Sequence, residues 1–148
     1  MITQQPAHKD LLDAVQHQHL DLVPELIRHG ADVNAASQNG WTPLMLAILH
    51  DAQSLAKLLL DNGADPNLTT ASEENPCRSP LAVAVSNGRL EMVKLLIMHD
   101  VDTQNISGGE QTALTLARKL APRPPLHVFY GENMANIIKL LEQVEDNQ

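Results

Sequence analysis

The residues able to do chemistry in this chain are seven histidines, His8, His17, His19, His29, His50, His99 and His127, a set of recurring aspartates, and one cysteine, Cys77. Imidazoles and carboxylates together suit a metal centre or acid–base catalysis. Their spacing supplies neither. A helical zinc site of the His-Glu-x-x-His type puts two histidines one turn apart on one face, and no such pair occurs. A thiolate metal cluster and an internal disulfide both need more than one cysteine. Cys77 also stands in a loop just before Ser79-Pro80, with no evident base to activate its thiol. Gly108-Gly109 is an isolated pair ahead of a helix start, as a turn requires, and no Gly-x-Ser-x-Gly elbow is present.

The elements that must carry these residues are set by an internal repeat. Gly30-Ala31-Asp32-Val33-Asn34 recurs as Gly63-Ala64-Asp65-Pro66-Asn67, 33 residues on. Thr42-Pro43-Leu44-Met45-Leu46-Ala47 recurs as Ser79-Pro80-Leu81-Ala82-Val83-Ala84, 37 residues on, and as Thr112-Ala113-Leu114-Thr115-Leu116-Ala117 after a further 33. Leu11-Leu12-Asp13-Ala14-Val15 precedes the Leu44 segment by the same period. A fixed period of this length marks stacked supersecondary units. Each unit holds two apolar stretches at helical spacing, such as Leu44, Ala47 and Ile48 followed by Leu55, Ala56, Leu58 and Leu59. In the third unit the second stretch is Leu90, Met92, Val93, Leu95, Leu96 and Ile97. Thr42 and Ser79 stand where a helix N-cap is needed, with Pro43 and Pro80 in the first turn. Gly63 closes the second helix of its unit, where positive φ is wanted.

These segments resemble the ankyrin-repeat family over almost the whole chain. The resemblance implies an all-α solenoid of stacked helix–turn–helix units with projecting turns, forming one domain over residues 1–148. The units are expected near 8–39, 40–72, 77–109 and 110–145. Neighbouring units must complete one another's core, because none is large enough to bury its own apolar face. His17 and His50 fall at equivalent positions, as do His29 and His99 with Asn62 between them. Packed helices set such positions ~8–10 Å apart, too far for two imidazoles to share a zinc ion at ~2 Å. His19 falls where the family often has a histidine that caps and cross-links the inter-helix turn. Asp32 and Asp65 are turn-formers by the same resemblance, and because they repeat in register with the fold they do not make a catalytic carboxylate pair.

The pattern has departures. Lys9-Asp10 replace Thr-Pro in the first unit, as a polar terminal cap requires. Asp100 replaces the terminal glycine of the third unit; aspartate enters the left-handed region more readily than most residues, and a looser turn is expected there. Two inserts lengthen turns, one near 68–78 and one near 121–133 that carries three prolines, Pro122, Pro124 and Pro125. Prolines forbid a continuous helix through the second insert, and helical spacing resumes at Met134, Ile137, Ile138, Leu140 and Leu141. Inserts in solenoids form loops on one face, often the binding face, so Phe129 and Tyr130 are candidate contacts.

Composition bounds the function. The net charge of −8 opposes nucleic-acid binding, which needs a surplus of Lys and Arg, and suits either simple solubility or a basic protein partner. The chain is expected to be monomeric when free. Hydrophobic residues make up 43 % but aromatics only 2 %, so the core is aliphatic, as packed helices permit. No stretch approaches the ~18 apolar residues of a membrane span, and no signal peptide is apparent, so a cytoplasmic setting is expected.

The resemblance places partner binding on the turn tips and the exposed side of the first helices, a concave face. Position by position, that face comprises Gln16, His17, Trp41, Leu49, His50, Arg78, Ser86, Asn87, Gln111, Lys119 and Leu120. Trp41 leads, because an exposed tryptophan is the residue type most enriched at interface hot spots, although it can instead fold back beside Arg78. The expected function is a protein–protein interaction module that inhibits or scaffolds a partner, for example a cytosolic immunity protein. The alternatives are a structural subunit of a larger assembly and, more remotely, a His/Asp metal-dependent enzyme. No enzyme activity, cofactor or metal is expected.

Overall fold

The computed structural model describes residues 4–71, 78–104, 106, 112–121 and 128–147, with the side chains of 4–9 and 128–130 outside that description. Its helices are α1 (Gln4–Gln16), α2 (Leu22–Arg28), α3 (Pro43–Leu49), α4 (Gln53–Asp61), α5 (Pro80–Ser86), α6 (Leu90–Met98), α7 (Ala113–Leu120) and α8 (Val128–Asp146). They pair as α1–α2, α3–α4, α5–α6 and α7–α8, and the first helices stack in the order α1, α3, α5, α7. Behind them α4, α6 and α8 form a second row. This is the all-α repeat solenoid that the ankyrin resemblance implies.

The first helices begin where their caps dictate. Thr42 Oγ1 accepts the Met45 N–H at 3.2 Å, Ser79 Oγ the Ala82 N–H at 3.1 Å, and Thr112 Oγ1 the Thr115 N–H at 3.1 Å. Each cap satisfies one of the N–H groups that a helix start leaves without an intrahelical partner. Thr42 and Ser79 are themselves buried, so these bonds also remove the desolvation cost of the two hydroxyls.

Leu11, Leu44, Leu81 and Leu114, at one register position of the first helices, are all buried, as are Leu59, Leu96 and Leu141 on the second helices. Met45 and Leu46 belong to the core as well, so α3 is covered along nearly its whole surface. Burying one such leucine contributes about 2 kcal/mol. Leu58, Leu90, Leu95, Ile97, Ile138 and Leu140 are only partly covered and flank this core.

In each of the first three units the inter-helix turn and the turn after the second helix use positive φ. The inter-helix turn uses Gln18 (58°), Asp51 (56°) and Gly88 (62°), and the turn after the second helix uses Gly30 (90°), Gly63 (93°) and Asp100 (56°). Asp100 does not loosen its turn. Its N–H reaches Ile97 O at 3.2 Å and Val101 N–H reaches Leu96 O at 3.2 Å, the same pair of bonds that Gly30 and Ala31 make at 3.0 Å. The αL residue is what this motif requires, and aspartate supplies it at a modest conformational cost.

Helix resumes within the second insert, ahead of Met134. Helix α8 starts at Val128, so 128–133 are helical and only 122–127, outside the described residues, separate it from Ala121. The prolines block helix only as far as Pro125, and nothing after it opposes the earlier start. The first insert is pinned at its base by an antiparallel bridge, with Thr70 N–H on Arg78 O at 2.8 Å and Arg78 N–H on Thr70 O at 2.7 Å. Residues 72–77, including Cys77, lie outside the described residues.

Candidate partner-binding face

The turns that project from the stack are built by short polar side chains. Asp32, Asp65 and Asp102 each accept, through Oδ1, the N–H of the residue two further on, at 2.8–2.9 Å. The asparagine of one turn then reaches the next. Asn34 Oδ1 accepts the Asp65 N–H at 2.8 Å while its amide donates to Gly63 O at 3.2 Å, and Asn67 Oδ1 accepts the Asp102 N–H at 2.6 Å. The recurring aspartates are thus committed to holding the turns in register. In the last step Gln104 stands where asparagine would, and its longer amide lies 3.4 Å from Glu145 at the end of α8.

On this ladder sits the finger that carries Trp41. Ser37 N–H bonds Trp41 O at 2.9 Å and Trp41 N–H bonds Ser37 Oγ at 3.1 Å, closing the tip. Gly40 has φ 74°, and a Cβ there would meet Thr70 Oγ1 at 3.3 Å, so glycine is needed for both reasons. Thr70 Oγ1 donates to Gly40 O at 2.5 Å, and Arg78 reaches across to Asn39 O at 2.9 Å. These bonds place the Arg78 guanidinium 4.0 Å from the centre of the Trp41 ring, a cation–π stack.

Trp41 is therefore not the freely exposed indole expected of a hot spot. It is half-buried, with one face taken by Arg78, and the surface offered to a partner is the composite of the two. The fold-back arrangement is the one that forms, because the bridge at Thr70 and Arg78 brings that arginine over the preceding finger.

The remaining face residues lie at the opposite ends of the first helices. Gln16, His17, Ser86, Asn87, Lys119 and Leu120 are exposed, and Leu49 is half-buried. His50 is also half-buried, and its Nε2 is enclosed with no hydrogen-bond partner among the described residues, so that atom does not face outward as expected. His17 Nδ1 lies 2.8 Å from Asp13 O and Asn87 donates to Val83 O at 2.8 Å, so both cap carbonyls that their helix ends leave open. The structure separates these residues from Trp41 and Arg78 by the length of a seven-residue helix, ~10 Å at 1.5 Å per residue. Gln111 lies outside the described residues, as do the side chains of Phe129 and Tyr130 in the first turn of α8.

The histidines divide into cappers and bystanders. His29 Nδ1 sits 2.6 Å from Glu25 O, as the Asn62 amide does with Leu58 O at 2.7 Å. His19 makes no such cross-link. Its ring is exposed and stacks on His17 at 6.0 Å, and its backbone N–H, rather than the imidazole, closes the turn on Ala14 O. Among the described residues no group of three or more His, Cys, Asp and Glu side chains is arranged to hold a metal ion.

Arg89 was missed by pattern reading and ties two units together. It donates to Leu49 O at 3.2 Å and pairs with Asp51 at 3.4 Å, across the inter-helix turns of the second and third units. Partners 38 and 40 residues apart leave no local signal; only its place at the position of His19 hinted at a role in this turn.

Comparison with known proteins agrees with this architecture. Two ankyrin-repeat family models match, one over residues 8–70 and one over 50–97. The chain is 37 % identical over 69 % of its length to an ankyrin repeat protein of fowlpox virus, FPV024, of which that match covers 17 %. It is 39 % identical over 59 % of its length to the ankyrin repeat protein YahD of Escherichia coli, covering 44 % of that protein. It is 45 % identical over 43 % of its length to the human mitochondrial disaggregase, covering 9 % of it. In each case the chain spans less than half of the relative.

The chain belongs to the ankyrin-repeat family, whose repeats are protein–protein interaction modules and generally carry no catalysis of their own. Among the described residues no helix is long and apolar enough to cross a membrane.

Proposed function

We propose that this protein binds a partner protein through the Trp41–Arg78 finger pair together with the exposed first-helix ends, Gln16, His17, Ser86, Asn87, Lys119 and Leu120, and that it acts in the cytoplasm by occluding or scaffolding that partner. The observation that carries the reading is the stack itself. A guanidinium held 4.0 Å over an indole and anchored by a bond to Asn39 O presents a rigid, amphipathic surface at little further entropic cost. Trp and Arg are also the residue types most enriched where binding energy concentrates. The charge of −8 favours a basic partner, and an inhibitor of the immunity-protein kind fits a domain made of repeats. The test is affinity capture from the native cell with mass spectrometry, using the wild-type chain and Arg78→Ala. The reading expects one dominant partner, lost with Arg78→Ala while the thermal melt stays close to wild type. An unchanged partner list places the interface elsewhere.

The subunit reading would draw support from apolar residues exposed on the last helix. The exposed positions of α8 include Glu132, Asn136, Lys139 and Gln143 and no large apolar residue among those described, so that reading gains no such support.

A further inference from the structure

The N-terminal end of the stack holds an open groove of about 490 Å³ between α1 and α2, lined by Asp10, Asp13, Leu22, Glu25 and Leu26 among others. Register explains why it is open. Leu22 occupies the position of Leu55, Met92 and Ile137, which are fully buried, yet Leu22 is 50 % exposed. Leu26 corresponds to the buried Leu59, Leu96 and Leu141 and is only partly covered. In the interior of the stack such positions are closed over by packing between helix pairs. Here, among the described residues, no helix pair lies on the outer side.

Both helices are altered for this end, α2 only in part, with Glu25 where the other units have Leu58, Leu95 and Leu140. Asp10 and Asp13 replace the positions held elsewhere by buried Pro43 and Pro80, and by Leu46 and Val83. A complete cap would be polar on both helices. The groove instead keeps Leu22 and Leu26 beside Asp10, Asp13 and Glu25, with His17, His19 and His29 also in its lining. Glu25 shares its carboxylate with Arg28 at 3.3 Å, and among the described residues none that line the groove is a Lys or Arg.

We infer that this groove is a second docking surface, for a basic amphipathic helix of a partner protein, seated where a preceding repeat's helix would pack. Its apolar stripe covers Leu22 and Leu26, and its flanking Lys or Arg side chains meet Asp10 and Asp13. A second copy of this chain fits less well. Two N-terminal ends would oppose their aspartates, and the opposite end presents the Arg118–Glu142 pair where the interior has Val85 and Ile97.

The test uses two synthetic helices of about 15 residues with the same leucine stripe, one flanked by lysines and one by glutamates, titrated against the full chain by fluorescence anisotropy. The lysine peptide should saturate and bind at least ~10-fold tighter, the scale of one well-placed charged contact. Leu22→Gln and Asp13→Asn should each weaken it several-fold. Asp61→Asn, a remote exposed carboxylate on α4, and Arg78→Ala should leave it unchanged, which separates this groove from the finger pair. Leu22 is half exposed, so its variant should keep the wild-type melt. Equal binding of both peptides, or no loss with Leu22→Gln, would overturn the proposal. So would a dimer of the free chain by light scattering that Leu22→Gln dissolves, since the occupant would then be a second copy.

Discussion

The two ends of the stack face the same problem and solve it differently. At the C-terminal end, positions that are Val15, Ile48 and Val85 in earlier units become Arg118, and those that are Leu60 and Ile97 become Glu142. The two new side chains then pair at 2.7 Å. At the N-terminal end α1 is converted, to Asp10 and Asp13, and α2 only in part, with Glu25 for leucine while Leu22 and Leu26 are retained. Identical register positions are core in the middle of the array and surface at its ends, so the same leucine contributes very different amounts to stability according to whether a neighbour covers it. An end that keeps two leucines of one helix incompletely covered is a surface still suited to packing.

The largest effect that tests this contrast is a pair of equivalent truncations. Leu59→Ala in the fully buried interior should cost about 3 kcal/mol, whereas Leu26→Ala at the N-terminal end should cost about 1 kcal/mol, read from urea midpoints at constant m-value. Equal losses would show that the N-terminal end is as closed as the interior. Next in size is the turn ladder, which runs toward the C-terminal end. Asn67→Ala removes the bond to the Asp102 N–H and should cost about 1 kcal/mol, with faster amide hydrogen exchange at Asp102.

A stabilising change of similar or smaller size is expected at the N-terminal end. Gln18 holds φ 58° at the position where the third unit has Gly88, so Gln18→Gly should raise stability by about 0.5–1 kcal/mol by relieving the left-handed strain, seen as a higher melting temperature. A lower melting temperature would mean that the glutamine side chain contributes more than its backbone costs. The smallest effect belongs to the C-terminal cap. Both partners of the Arg118–Glu142 pair are substantially exposed, so Arg118→Ala should cost no more than about 0.5 kcal/mol, and the cost should shrink further in high salt.

Much of the fold could be read in advance because its signals are local. Thr42-Pro43-Leu44 specifies a capped helix start within a few residues, and Gly63 or Asp100 a stop. Their recurrence at 33 residues places the units in register without knowledge of any contact. The site was less legible. Trp41 could be named as a surface candidate and a fold-back beside Arg78 as its alternative, but which of the two forms depends on the Thr70–Arg78 bridge, which nothing in the local pattern encodes. His19 illustrates the same limit: its position in the repeat was right, yet the capping imidazole is His17, because side-chain direction at a turn follows from the backbone geometry achieved there.

For the stack as a whole, the sequence by itself determined the repeat, the helix starts and stops, and the aliphatic core, since period, caps and positive-φ residues each act within one unit. Only the tertiary structure decided which leucines are core and which are surface, which finger Arg78 covers, and that a groove is open between α1 and α2 among the described residues. These depend on whether a neighbouring unit covers a position, and the chemical identity of the residue does not change when that neighbour is absent.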